Sequence, residues 1–176
     1  CAQCRIKELD LTGSPELETL NCTMNQLTVL NITGCTKLVS LNCSMNQLTA
    51  LDLTGFSAIN TLNCASNKLT QLDVSKCAEL VSLNCSSNQL TVLPVSGLEK
   101  LETLLCIGNQ LTSLQVSDQM TLKKLSATWN RYTVQLDSLN RFYLSDLPGD
   151  FQISRVDADS WTNAVTDGDA VYAADP

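Results

Sequence analysis

Six of the nine cysteines stand 21 residues apart, at Cys1, Cys22, Cys43, Cys64, Cys85 and Cys106. Asparagine keeps the same period at Asn25, Asn46, Asn67, Asn88, Asn109 and Asn130. A fixed period of this length marks a solenoid, in which each repeat is one supersecondary unit that buries its apolar side chains only against its neighbours. The period therefore settles the architecture before any local structure is considered. It also narrows the functional question, because a regular stack offers an extended surface rather than a deep cleft.

Aligned on the period, residues 17–37 read LETLNCTMNQLTVLNITGCTK and residues 38–58 read LVSLNCSMNQLTALDLTGFSA. Residues 59–79, 80–100, 101–121 and 122–142 repeat the theme LxxLxCxxNxLTxLxVS with increasing departures. In residues 1–16, Ile6, Leu9, Leu11 and Thr12-Gly13 match the back half of a repeat. This pattern resembles the leucine-rich repeat, with Cys at the last inward site of the strand and Asn three residues later. The resemblance implies an α/β-class leucine-rich repeat solenoid: short parallel β-strands, loop or 3-10 return segments, few or no α-helices, and a right-handed curved stack. The domain reading is a solenoid over 1–142, made of a partial first coil 1–16 and six repeats 17–142. Residues 143–176 follow as a capping segment or the start of a further β domain.

Residue chemistry agrees with that fold. Around LNC, apolar and polar residues alternate, which is a strand pattern. Leu20 and Cys22 point inward, and Thr19, Asn21 and Thr23 outward. Stacked at about 4.8 Å per strand, six rows span about 29 Å. The Asn column lies at a buried turn, whose backbone donors and acceptors need partners. An amide side chain offers both kinds of group and can bridge one coil to the next. Cys22, Cys43, Cys64, Cys85 and Cys106, with Asn25, Asn46, Asn67, Asn88, Asn109 and Asn130, are thus expected to form structural ladders.

The cysteines are read as free thiols. The ladder sites are slots that Leu fills in other leucine-rich repeats, and a free thiol packs as a small hydrophobe. Adjacent Cβ vectors in a column run side by side, which suits a disulfide badly. Cys35 and Cys77 share a second apolar column with Phe56 and Leu98, two coils and about 10 Å apart. Cys4 is the exception, falling where the Asn column has its next place. A straight buried column does not converge on a point as a zinc site must, so no metal is assigned. Cys1 admits two readings: the first rung of the ladder, favoured by its register, or the lipidated first residue of a bacterial lipoprotein.

Charge and composition exclude several classes of function. The net charge is −7, and after residue 142 seven aspartates face Arg155 alone, so the tail carries −6 of it. With no basic stripe, nucleic acid is excluded as a partner and an anionic membrane is a poor one. No apolar run approaches the 18 residues of a membrane span. The first residue is not Met, which suggests a processed or trimmed chain. The chain has no histidine, which removes Ser-His-Asp and Cys-His catalysis and the common zinc hydrolase sites. Nor is there a phosphate-binding glycine motif or a nucleophile elbow. Asp10, Asp52 and Asp73 form a column best read as turn-stabilising or solvated. The D-A-D at 157–159 and D-G-D at 167–169 lack the third ligand and the correctly placed Gly of a calcium loop, and are read as turn chemistry. No cofactor and no catalytic residue is assigned.

Recognition must then use the outward strand positions, the concave sheet face. Ahead of Cys these are Asn21, Asn42, Asn63, Asn84, Leu105 and Ser126. After Cys they are Thr23, Ser44, Ala65, Ser86, Ile107 and Thr128, followed by Met24, Met45, Ser66, Ser87, Gly108 and Trp129. The early coils present small neutral groups. Leu105, Ile107 and Trp129, flanked by Lys124 and Arg131, break the pattern with apolar side chains at sites expected to face solvent. They are read as a contact point for a partner or as a surface covered by the tail, since a solenoid needs its last coil capped. The repeat degrades there: Ala127 replaces Cys and Tyr132 replaces Leu. Pro148-Gly149 marks a turn, and segments near 151–156 and 170–174 read as short strands.

The repeat type is similar to that of bacterial extracellular leucine-rich repeat proteins, broadly the internalins. Their repeats are typically one residue longer, and no N-terminal helical cap is visible here. The resemblance implies a secreted or cell-surface bacterial protein that is not an enzyme and binds a protein on a host cell or neighbouring microbe. A carbohydrate-binding envelope module using the Asn/Ser/Thr face and a structural spacer are the alternatives.

Overall fold

The structure is a computed structural model. It describes residues 2–112, 114, 121–127 and 129–130, and the backbone of strands in 141–143, 164–167 and 170–173. The chain is a parallel β-solenoid, and no α-helix or 3-10 helix occurs among the described residues. Its main sheet has six parallel strands: β2 (Thr19–Asn21), β4 (Ser40–Asn42), β5 (Thr61–Asn63), β6 (Ser82–Asn84), β7 (Thr103–Leu105) and β8 (Lys124–Ser126), in that spatial order. Register is constant along the stack, with Leu20, Leu41, Leu62, Leu83, Leu104 and Leu125 side by side. A slip by one residue would turn every strand inside out, because side chains alternate faces with a period of two. Pairing runs one residue past each strand, since Cys22 N donates to Asn42 O at 2.9 Å and Cys43, Cys64, Cys85 and Cys106 repeat the bond.

Each coil fills the core from the same sites. In residues 59–79 these are Ile59, Leu62, Cys64, Leu69, Leu72, Val74 and Cys77, all buried. The second column is also as the sequence suggests, with Cys35, Phe56, Cys77 and Leu98 buried at equivalent places. Eight cysteines, Cys4, Cys22, Cys35, Cys43, Cys64, Cys77, Cys85 and Cys106, are free thiols, and only Cys4 is exposed.

The return segments are loops rather than 3-10 turns of helix. At the start of the stack they pair: β1 (Glu8–Asp10) lies parallel to β3 (Val29–Asn31), Leu9 opposite Leu30. Among the described residues later returns form no strand, and at Pro94 the missing N–H forbids a ladder bond. Two successive turns close each coil as far as Leu101. Cys35 N donates to Ile32 O, and Leu38 N to Cys35 O, both at 3.0 Å. Gly34 has φ of 87°, as the third residue of a type II turn requires. Lys76 stands at the equivalent place without a positive φ, so that turn is of a different type. The Asp column ties the same corner: Asp10, Asp52 and Asp73 accept from the backbone N–H of Thr12, Thr54 and Ser75 at 2.8–2.9 Å. Hydrogen bonds from Thr12 and Thr54, side chain first and backbone second, hold Asp10 and Asp52 below the usual carboxylate pKa. For Asp73 the Ser75 backbone bond leads.

Three further strands form an antiparallel sheet in the order β10 (Ala164–Asp167), β11 (Ala170–Ala173), β9 (Arg141–Tyr143). Of the two tail strands expected from sequence, β11 matches the one near 170–174, while 151–156 lies outside the described residues. The register partners of β9 are Ala170, Val171 and Tyr172. Asp167 ends β10 opposite Ala170. Asp157, Asp159, Asp169, Tyr132, Thr128 and Pro148-Gly149 lie outside the described residues.

Candidate binding face

Two asparagine columns run along the stack, and their surroundings give them opposite roles. The first lies in the turn after each strand, with Asn46, Asn67, Asn88 and Asn109 buried and the end members Asn25 and Asn130 half-buried. Asn67 Nδ2 donates to Cys43 O of the preceding coil at 3.1 Å and to Cys64 O of its own at 3.0 Å. Its Oδ1 accepts from Leu48 N of the preceding coil at 3.0 Å. Asn46, Asn88, Asn109 and Asn130 repeat this three-way staple. Asn25 ties the first coil in a related way, its Oδ1 accepting from Cys4 N and Ile6 N and its Nδ2 donating to Cys22 O of its own coil. A leucine at these sites would leave a buried N–H without an acceptor, which is the physical reason for Asn.

The adjoining thiols are equally committed to the interior. Burial, then the neighbouring thiol, pushes Cys43 up to about 12. Burial raises Cys22 to about 11. Cys64 and Cys85 are also raised, chiefly by burial and then by adjacent ladder thiols. A cysteine nucleophile needs a thiolate and access to substrate. These four have neither at neutral pH, so the sequence feature that first suggests chemistry serves packing.

The second column faces outward. Asn21 is exposed, and Asn42, Asn63 and Asn84 are half-buried. Each uses Oδ1 to accept the backbone N–H two residues on, from Thr23, Ser44, Ala65 and Ser86, all at 3.1 Å. That bond fixes the side chain and leaves Nδ2 pointing away from its own turn. Around it lie short hydroxyl side chains, with Ser44 Oγ 2.7 Å from Asn42 Oδ1 and 2.9 Å from Thr23 Oγ1.

In the next coil Leu105 occupies the Asn place, in register between Asn84 and Ser126. Leu105 and Ile107 prove half-buried rather than fully solvent-facing, because a flanking strand shields each side at about 4.8 Å. Trp129 is different, with 68 % of its surface exposed. Lys124 is exposed on β8, and Arg131 lies outside the described residues. Of the tail, offered from the sequence as a cover for this patch, only the backbone of β10 and β11 is among the described residues.

One feature escaped the sequence reading. Met24, Met45, Ser66, Ser87, Gly108 and Trp129 all have positive φ, between 54° and 64°. Non-glycine residues seldom adopt this conformation, yet the column carries three large apolar side chains, Met24 and Met45 being 44 % and 51 % exposed. The signal was present, since both methionines share the Trp129 register. Nothing in the local alphabet, however, announces a left-handed turn at a methionine.

Several solved structures share this architecture. The functional domain of InlJ from Listeria monocytogenes, which includes a cysteine ladder, matches with a TM-score of 0.61 and 32% identity, over 79% of this chain and 36% of that one. The Leptospira interrogans leucine-rich repeat protein LIC12759 matches at 0.55 and 26% identity, over 64% and 32%. The internalin InlF from Listeria monocytogenes matches at 0.53 and 28%, over 64% and 35%. The chain therefore spans about a third of the length of these proteins. Its structural neighbours are internalin-type and other leucine-rich repeat proteins. No protein-family model matches the sequence, and a search of curated proteins finds no match. No helix among the described residues is long and apolar enough to cross a membrane.

Proposed function

We propose that this chain is a non-enzymatic protein-recognition module of a secreted or cell-surface bacterial protein. It binds a host or microbial surface protein through the outward strand face of the solenoid. The contact centre is Trp129 with Leu105 and Ile107, bordered by Lys124 and Arg131, and the small polar column Asn21, Asn42, Asn63 and Asn84 extends the face toward the N-terminal coils. Residues 1–142 supply the solenoid and 143–176 a cap or the start of a following β domain. The observation that carries the reading is Trp129. A tryptophan that leaves two-thirds of its surface in water at a positive φ contributes little to the fold, and aromatic residues of this kind dominate the energetics of protein interfaces. The internalin-type neighbours support the same reading.

Site-specific photo-crosslinking tests it. A benzophenone side chain at Ser87, in the Trp129 column, is expected to capture a protein from host or microbial surface extract. The same group at Val92, exposed on the return segment, is expected to capture nothing. Capture of the same species from Val92 but not from Ser87 would move the binding surface off the strand face.

A further inference from the structure

The middle of the outward face has features that an apolar protein contact does not use. Asn42, Asn63 and Asn84 are register partners on three successive strands. Their Nδ2 groups meet no acceptor among the described residues, while each Oδ1 is held by its own backbone. Three donor groups are thus fixed in a row with a spacing of about 4.8 Å. Because the amides are already oriented, little rotamer freedom remains to be lost on binding. Residues 38–48, 59–67 and 80–90 contain no charged residue. A charged ligand laid there would lose hydration without gaining a counter-charge, so the ligand that suits this strip is neutral and rich in acceptors.

The repeat distance separates two neutral polymers. In an extended peptide, carbonyls on one side recur every second residue, at about 6.6 Å, and drift out of step with the rungs at once. A pyranose chain advances by about one rung per ring. In a β-1,4-linked chain alternate rings are flipped, so like substituents recur at every second ring, close to two rungs or about 9.6 Å. Asn42 and Asn84 are two rungs apart. An N-acetyl carbonyl is the strongest acceptor an uncharged sugar offers, and one on alternate rings meets both amides while Asn63 meets a hydroxyl between them.

We propose that β4, β5 and β6 bind an uncharged β-1,4-linked glycan bearing N-acetyl groups, lying along the stack axis with one ring per rung and hydrogen-bonded by Asn42, Asn63 and Asn84. The site shares Asn42, Asn63 and Asn84 with the outer reach of the proposed protein-binding face but lies off its centre at Trp129, Leu105 and Ile107, so substitution at Trp129 tests the protein contact without touching the glycan site.

Titration calorimetry with chitobiose, chitotetraose and chitohexaose tests the proposal. Affinity is expected to rise about tenfold from chitobiose to chitotetraose and then to level off as the donor row is filled. Cellohexaose, which lacks the N-acetyl groups, binds more weakly. Asn63→Asp keeps the Oδ1 acceptor for Ala65 N and removes the Nδ2 donor; it is expected to weaken chitohexaose about tenfold with the melting temperature unchanged. Trp129→Ala leaves glycan affinity within about twofold. Absence of chitohexaose binding, affinity independent of chain length, or an Asn63→Asp protein that binds as the parent does would each overturn the proposal. So would a decaproline peptide that binds as tightly as chitohexaose and is weakened equally by Asn63→Asp, which would make the row a peptide site.

Discussion

Replacing Asn67 by Ala separates the two asparagine columns energetically. Four groups lose a partner, of which Ala65 O gives up only a long contact of 3.4 Å. Leu48 N–H has Asn67 Oδ1 as its acceptor and is orphaned in the interior, at a cost of about 1–3 kcal/mol. Cys43 O and Cys64 O each fall from two amide donors to one, since Asn46 still reaches Cys43 O and Asn88 still reaches Cys64 O. Each loss adds about 0.5–1 kcal/mol. The total is about 2–5 kcal/mol, a large fraction of the stability of a domain this size. Asn63→Ala, one strand-end away, gives up a single bond to a half-buried N–H and is expected to cost about 1 kcal/mol. Urea unfolding followed by circular dichroism measures both. Hydrogen exchange supplies the local readout, because protection of the Leu48 amide should collapse in Asn67→Ala and persist in Asn63→Ala. Asn67→Asp should be at least as damaging as Ala near neutral pH, since a carboxylate keeps the acceptor but turns negative oxygen toward two carbonyls. Equal costs for Asn67→Ala and Asn63→Ala, with Leu48 still protected, would refute the staple.

Two further outcomes follow from the core and the turns. Cys22, Cys43, Cys64 and Cys85 stay protonated in the fold well above the ordinary thiol value of 9.0. The unfolded chain therefore binds fewer protons once the pH passes about 9, and stability falls with rising pH until the folded values are reached. Between pH 8 and 10 each such thiol is expected to remove about 1 kcal/mol. Urea titrations across that range should show it, with the slope reduced but not abolished in Cys64→Ala/Cys85→Ala, because Cys22, Cys43 and the likewise raised Cys77 remain, and a flat profile would contradict the burial argument. Gly55 has φ of 87° with nothing within 4 Å of an added Cβ, so Gly55→Ala should cost about 1 kcal/mol from backbone strain alone, measured as a small drop in unfolding midpoint.

The fold was legible because its information is redundant. Leu41, Cys43, Asn46 and Leu48 are restated 21 residues later as Leu62, Cys64, Asn67 and Leu69, so a weak strand signal seen once becomes decisive when seen six times. Burial of the ladder thiols and the bridging role of the inner asparagines follow from the same logic. The face was less legible. Strand alternation tells which side Leu105 and Ile107 occupy, but their partial shielding depends on neighbouring strands that no single row reveals. The positive φ at Met24 and Met45 was hidden for another reason: the backbone there is held by stacking bonds, such as Met45 N to Ala65 O at 2.8 Å, and not by a residue that prefers the conformation. Where the period dissolves, after Ala127, periodic reasoning has nothing to average, and the tail could be read only as short strands and a turn.

The central claim is that the buried columns build the stack and that recognition belongs to the outward face at Trp129. It is tested most directly by the affinity of the captured protein partner for Trp129→Ala, beside Val92→Ala on the return segment as a control. Loss of the exposed tryptophan is expected to weaken binding about 30-fold or more, the range of an interface hot spot, with the melting temperature unchanged and Val92→Ala within about twofold of the parent. Undiminished binding by Trp129→Ala, or an equal loss in Val92→Ala, would contradict the account.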